Sequence, residues 1–222
     1  QAYDLELLGS GTIITAAVTF ANTGTLTLGN AAADTLLFNG GLTATAPSGV
    51  TLNATLQSST DLISLGDSNT GVTLAGAISI IDTTIGGGAG GAITVAGAVV
   101  GSAGNTQSLT LNAGAGGAVS FTSTIGAATA LRTLTLTNSN GATFTGAVTA
   151  DTSVVLTDTT DAADIEFTGA LVTAALTTAG QAYDLELLGS GTIITAAVTF
   201  ANTGTLTLGN AAADTLLFNG GL

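Results

Sequence analysis

Four carboxylates fall close together in one short stretch, at Asp158, Asp161, Asp164 and Glu166. A hard cation such as Ca²⁺ takes about six to eight oxygens, and a turn carrying Asp side chains and backbone carbonyls supplies several of them. The spacing fits no EF-hand, and it lacks the Gly-Gly-x-Gly-x-Asp nonapeptide of calcium-binding β-rolls. These four are the candidate Ca²⁺ ligands, set against the plainer reading of a solvated acidic turn, and no other cofactor is expected. As a glycosidase pair the same carboxylates would supply the acid and base but lack substrate-binding partners, because the chain has no His, no Trp and one Lys or Arg in all. Asp4, Glu6 and their copies Asp184 and Glu186 alternate with Leu5, Leu7, Leu185 and Leu187, the pattern of a strand with one solvated face.

The remaining chemistry is excluded by what is missing. Without Cys or His there is no thiol nucleophile, no serine–histidine pair and no zinc site. The sole cation, Arg132, reads as a surface ion pair or a clamp on a turn carbonyl. The glycine run Gly86 to Gly91 has no Lys-Thr behind it and no basic residue nearby, so it reads as a tight turn rather than a phosphate loop. The expectation is a protein that is not an enzyme.

Charge narrows the partners. Asp and Glu number 14 against one basic residue, a formal net charge of −13. Nucleic acid and anionic membrane surfaces need Lys or Arg to displace counterions and are not expected as partners. No apolar run approaches the roughly 18 residues of a spanning helix, and seven Phe with two Tyr are too few for the aromatic girdles of a membrane barrel.

Abundant Thr and Val, 32 Gly and a single Pro favour strands joined by tight turns. Leu5-Glu6-Leu7, Leu26-Thr27-Leu28, Leu109-Thr110-Leu111 and Leu134-Thr135-Leu136 alternate with period two, which puts Leu on one face and the polar residue on the other. A second motif, an apolar residue, a spacer, a small residue, a spacer and another apolar residue, recurs from Ile14, Phe38, Leu74, Val95, Phe121, Phe144, Phe167 and Ile194, with a weaker instance at Leu52. The step between successive anchors is shortest from Phe38 to Leu52 and longest from Phe167 to Ile194. Intervals of roughly 22 to 25 residues suit one coil of a parallel β-solenoid built from two or three short strands. On this reading Phe121, Phe144 and Phe167 stack inside the coil, and the weaker anchor decides between seven and eight coils per repeat unit. Ala46-Pro47-Ser48-Gly49 marks an irregular corner.

Gln181–Leu222 repeats Gln1–Leu42 without a change. The expected organisation is one 180-residue solenoid unit, 1–180, followed by the first two coils of an identical unit, 181–222, with no boundary at Gly180-Gln181 and with the contacts below Gln181 that a preceding unit would make below Gln1.

In Thr133 to Leu156, TLTLTNSNGATFTGAVTADTSVVL, the alternating Leu/Thr strands and Asn-Gly turn resemble the repetitive passengers of bacterial autotransporter adhesins and filamentous-haemagglutinin-like secreted proteins. That resemblance implies secretion, a right-handed parallel β-helix and an adhesive or matrix role at the cell surface. The expected function is a structural repeat of an extracellular filament or matrix fibre, stiff and protease-resistant, self-associating through its solenoid edges or joined as tandem repeats. The alternatives are an adhesin stalk that binds glycans or cells, and a calcium-dependent surface layer.

Overall fold

A computed structural model describes residues 1–222 as a parallel β-solenoid of about nine turns, about 23 residues per turn, with 24 short strands and no helix. No helix is therefore long and apolar enough to cross a membrane. Each turn presents three faces, and the named strands pair in parallel with strands about one turn away in the chain, on both sides except at the ends of a sheet.

Face A starts with Leu5–Leu7, Thr25–Leu28, Gly49–Leu52, Val72–Leu74 and Val99–Gly101. Bridges from Val99 to Ile125 and from Ile125 to Val148 carry it into the first halves of Val148–Leu156 and Leu171–Thr178. Face B runs through Thr12–Ile14, Thr35–Phe38, Thr55–Gln57, Ile78–Asp82 and Ser108–Asn112 into the second halves of the long strands. Face C runs from Val18–Thr19 through Ile63–Leu65 and Ala142–Phe144 to Leu206–Leu208.

The period-two alternation sets what points inward. Leu26, Val50, Val72, Val99, Ile125, Val148 and Leu171 form one inner column on face A, each at most 2% exposed. Leu36, Leu56, Ile81, Leu111, Leu136 and Leu156 form its counterpart on face B. On face C the Phe121 and Phe144 rings lie 5.6 Å apart and those of Phe144 and Phe167 4.7 Å, both stacked and buried. A coil of this size cannot enclose its own apolar side chains, so each buries them against its neighbours.

The small-residue motif turns out to mark corners, and any of the three. Phe144 to Val148 and Phe167 to Leu171 turn from face C to A, Leu52 to Leu56 from A to B, and Phe38 to Leu42 from B to C. The anchors are therefore not one inner stack. The short step from Phe38 to Leu52 is two-thirds of a turn, and the long step from Phe167 to Ile194 is one and a third.

The two identical segments consequently occupy different faces. Leu5–Leu7 lies on face A beside Leu26–Leu28, whereas Asp184–Leu187 lies on face C between Asp164–Phe167 and Leu206–Leu208. Thr12–Ile14 lies on face B, whereas Thr192–Ile194 pairs with Val172 and Thr173 on face A. The chain continues through Gly180-Gln181 without a break in pairing, and the pairing within the two copies is the same: Leu5-Glu6-Leu7 on Leu26-Thr27-Leu28 and Thr12-Ile13-Ile14 on Leu36-Leu37-Phe38 recur as Leu185-Glu186-Leu187 on Leu206-Thr207-Leu208 and Thr192-Ile193-Ile194 on Leu216-Leu217-Phe218. What differs is the position in the stack: Leu26 and Leu28 pair on to Val50 and Leu52 and are fully buried, while their copies Leu206 and Leu208, on the end strand of face C, are 38% and 40% exposed.

Candidate functional site

Residues that alternate with the inner columns point outward, and parallel in-register stacking turns each position into a ladder along the axis. The most regular is the outer ladder of face C. Thr19, Thr43, Ser64, Thr94, Ser120 and Thr143 succeed one another on adjacent strands, a row of hydroxyls about 4.8 Å apart. Glu166, Glu186 and Thr207 continue it.

Beside Glu166 and Glu186 stand Asp164 and Asp184, also register partners, so four carboxylates occupy two adjacent strands. The Thr168 hydroxyl donates to Glu166 Oε1 at 2.9 Å, and the Thr205 N–H donates to the Asp184 carboxylate. Partial burial, helped by the neighbouring charges of Asp164, Glu166 and Asp184, raises the Glu186 carboxyl above the usual glutamate range. A shallow groove bounded by Ser120, Gly141, Thr143, Asp164 and Glu166 runs beside this patch.

The four candidate Ca²⁺ ligands are dispersed between a turn and a strand. Asp158 accepts the Thr159 N–H at 2.8 Å, which fastens it into its own turn. Thr159 is buried there, its hydroxyl 3.0 Å from that of Ser139. Asp161 is exposed in the next turn beside Ala162, whose φ of 60° belongs to the left-handed region. Asp164 and Glu166 lie further on, upon the outer surface of face C. No three carboxylates of the chain converge with the geometry of a metal site. What sequence reasoning missed is the meeting of Asp164 and Glu166 with Asp184 and Glu186; the Asp-x-Glu pattern shared by the two strands, recurring at about the length of one coil, was the available signal.

Arg132 is exposed at the corner leading into face B, where its backbone N–H donates to Gln107 O at 2.7 Å. Outward apolar residues occur in pairs on both copies of the repeated segment. Ile13 stands beside Leu37 on face B, and Ile193 between Val172 and Leu217 on face A. Chemically, the surface offers hydroxyls, carboxylates and these apolar pairs. No protein-family model, curated protein or solved structure matches the chain.

Proposed function

We propose that this solenoid is a structural repeat of an extracellular or cell-surface filament or matrix fibre, non-enzymatic and protease-resistant, of the kind built by autotransporter adhesins and filamentous-haemagglutinin-like proteins. The observation that carries the reading is that the chain's opening sequence also stacks on the far end of its own unit. Asp184–Leu187 continues the ladder above Asp164–Phe167, and Thr192–Ile194 continues the one above Val172 and Thr173. A sequence that extends its own solenoid in this way suits a rod lengthened by repetition or by stacking of copies, with hydrogen bonds along the axis. Arg132, the single trypsin target, and the closely spaced strands favour survival outside a cell.

The test is immunogold labelling of source cells with antibodies to this chain, together with electron microscopy of the purified protein. Label along extracellular fibres and short rods of about 4.8 Å per turn are the expected outcomes. Label confined to the cell interior, or compact globules in place of rods, ends the reading.

One observation favours a second reading. The hydroxyl ladder from Thr19 to Thr143 is a flat polar row suited to a glycan chain, as an adhesin stalk would use. Retention on a glycan array that is lost when Ser64, Thr94 and Ser120 are replaced by Val would support it; equal retention of the variant would remove it.

A further inference from the structure

We infer that a solenoid carrying this unit in succession is a screw in which each unit is turned by one face relative to the last, regaining its orientation only after three units. The inference rests on the proposed reading of a filament built from such units. Its basis is the position of one sequence in two places. Leu5 opens face A in the first turn, and its copy Leu185 lies on face C, eighth in the column Val18, Leu42, Ile63, Ile93, Val119, Ala142, Ile165 and Leu185. One unit therefore advances the chain by seven turns and two faces, not by seven or eight whole turns.

Every outward feature of the repeated segment is displaced in the same sense. The strand holding Glu moves from face A at Glu6 to face C at Glu186, and the apolar pair moves from face B at Ile13 and Leu37 to face A at Ile193 and Leu217. The segment tolerates the change because its strands alternate identically on any face and its small-residue corners fit any of the three edges. For a filament, the consequence is a surface that presents each lateral contact on three sides in turn. Its full axial period is three units, or about 23 turns, about 110 Å at about 4.8 Å per turn.

The chain as it stands tests this, since it has no Cys and every introduced thiol is unique. Three double variants, Glu166→Cys with Glu186→Cys, Val172→Cys with Ile193→Cys, and Val172→Cys with Glu186→Cys, are treated with a thiol crosslinker that spans about one strand spacing. The screw places the first two pairs on adjacent strands and the third on different faces. Crosslinking in most molecules of the first two and only background in the third is expected. A whole-turn repeat would set Glu186 above Val172 instead, so crosslinking of the third pair, or failure of the first two, overturns the screw. A readout with no introduced thiol guards against misfolding: Glu166→Gln lowers the NMR titration midpoint of Glu186 if the two are neighbours, and an unmoved midpoint overturns the inference. Absence of filaments would end the functional reading while leaving these results intact.

Discussion

Glu166 and Glu186 are register partners on adjacent parallel strands, both side chains facing outward, so two like charges stand directly opposite one another. Asp164 and Asp184 repeat the arrangement two positions earlier. Like charges opposed across a sheet oppose its formation. Burial first, then these neighbours, raise Glu186 in the folded chain. A carboxyl whose folded value lies above its unfolded value favours folding when protonated, so its penalty is fully present above the folded value and disappears as pH falls through it. Glu186→Gln is expected to stabilise the chain at neutral pH, by an amount on the order of a few tenths of a kcal/mol given screening by water. The gain should shrink in high salt and vanish below about pH 4, as thermal melts across pH would record.

Asp4 and Asp67 act in the opposite direction. The Thr25 N–H, donating to Asp4 at 2.7 Å, and the Asn69 N–H, donating to Asp67 at 2.8 Å, hold both carboxyls below the usual range. Their contribution is present above the unfolded value and is lost as pH falls through the folded one. Asp67→Asn is therefore expected to cost stability at neutral pH and nothing once both forms are protonated. Melts of the variant against the parent at the two ends of that range measure the difference.

Glycines at the corner from face C to face A pack backbone upon backbone. A Cβ on Gly169 would collide with the Gly146 carbonyl, and one on Gly189 would collide with that of Gly169. Neither neighbour is a flexible side-chain end that could swing aside. Gly169→Ala is expected to destabilise by at least about 1–3 kcal/mol, as overpacking does. Gly104→Ala, where nothing lies within 4 Å, should fall within about 0.5 kcal/mol of the parent. Urea denaturation of the two variants gives the comparison.

The parallel solenoid was legible because two local rules agree along the whole chain: Leu-Thr-Leu alternation marks strands, and small-residue motifs mark turns at intervals near one coil. The Phe121, Phe144 and Phe167 column was legible for the same reason, since its members follow one another at equal intervals of one coil. The number of coils was not. Ile14, Leu52 and Phe144 carry the same motif at three different corners, because a tight turn between strands makes the same steric demand at each. Counting motifs as whole coils concealed the steps of two-thirds and one and a third. The same slip hid the carboxylate patch, since Glu186 meets Glu166 only if Leu185 stacks on Ile165, which period-two alternation cannot specify.

Calcium gives a further test. Asp158 is engaged by Thr159 within its own turn, and no three carboxylates converge. Excess chelator is expected to leave the melting temperature unchanged, and millimolar Ca²⁺ to produce no saturable rise. A saturable rise abolished by Asp158→Asn or Asp161→Asn would instead support the metal site and the surface-layer alternative with it.

Tyr3 and Tyr183 are the same residue in two copies of one sequence, yet Tyr3 is 53% exposed and Tyr183 is fully buried. The Tyr183 hydroxyl accepts the Ala179 N–H at 3.2 Å and lies 3.4 Å from Leu156 O, to which it donates. Burial raises its phenol above the ordinary value. Folding thus favours the neutral phenol, and the stability it contributes is complete below the unfolded value and is lost as pH rises past about 10. Tyr183→Ala is expected to cost about 3–5 kcal/mol, by analogy with other large aromatic truncations in packed cores. Tyr183→Phe keeps the ring and leaves the Ala179 N–H its bond to Leu156 O at 3.0 Å, so it should cost only about 0.5–1.5 kcal/mol, the net worth of an ordinary hydrogen bond. Tyr3→Ala should stay within about 0.5 kcal/mol of the parent. Because the local sequence is common to both sites, the gap between the two alanine variants in denaturant melts measures what the neighbouring coils contribute. A similar cost at both positions would show that Tyr183 is not enclosed by the turns around it, and that the second copy does not continue the core.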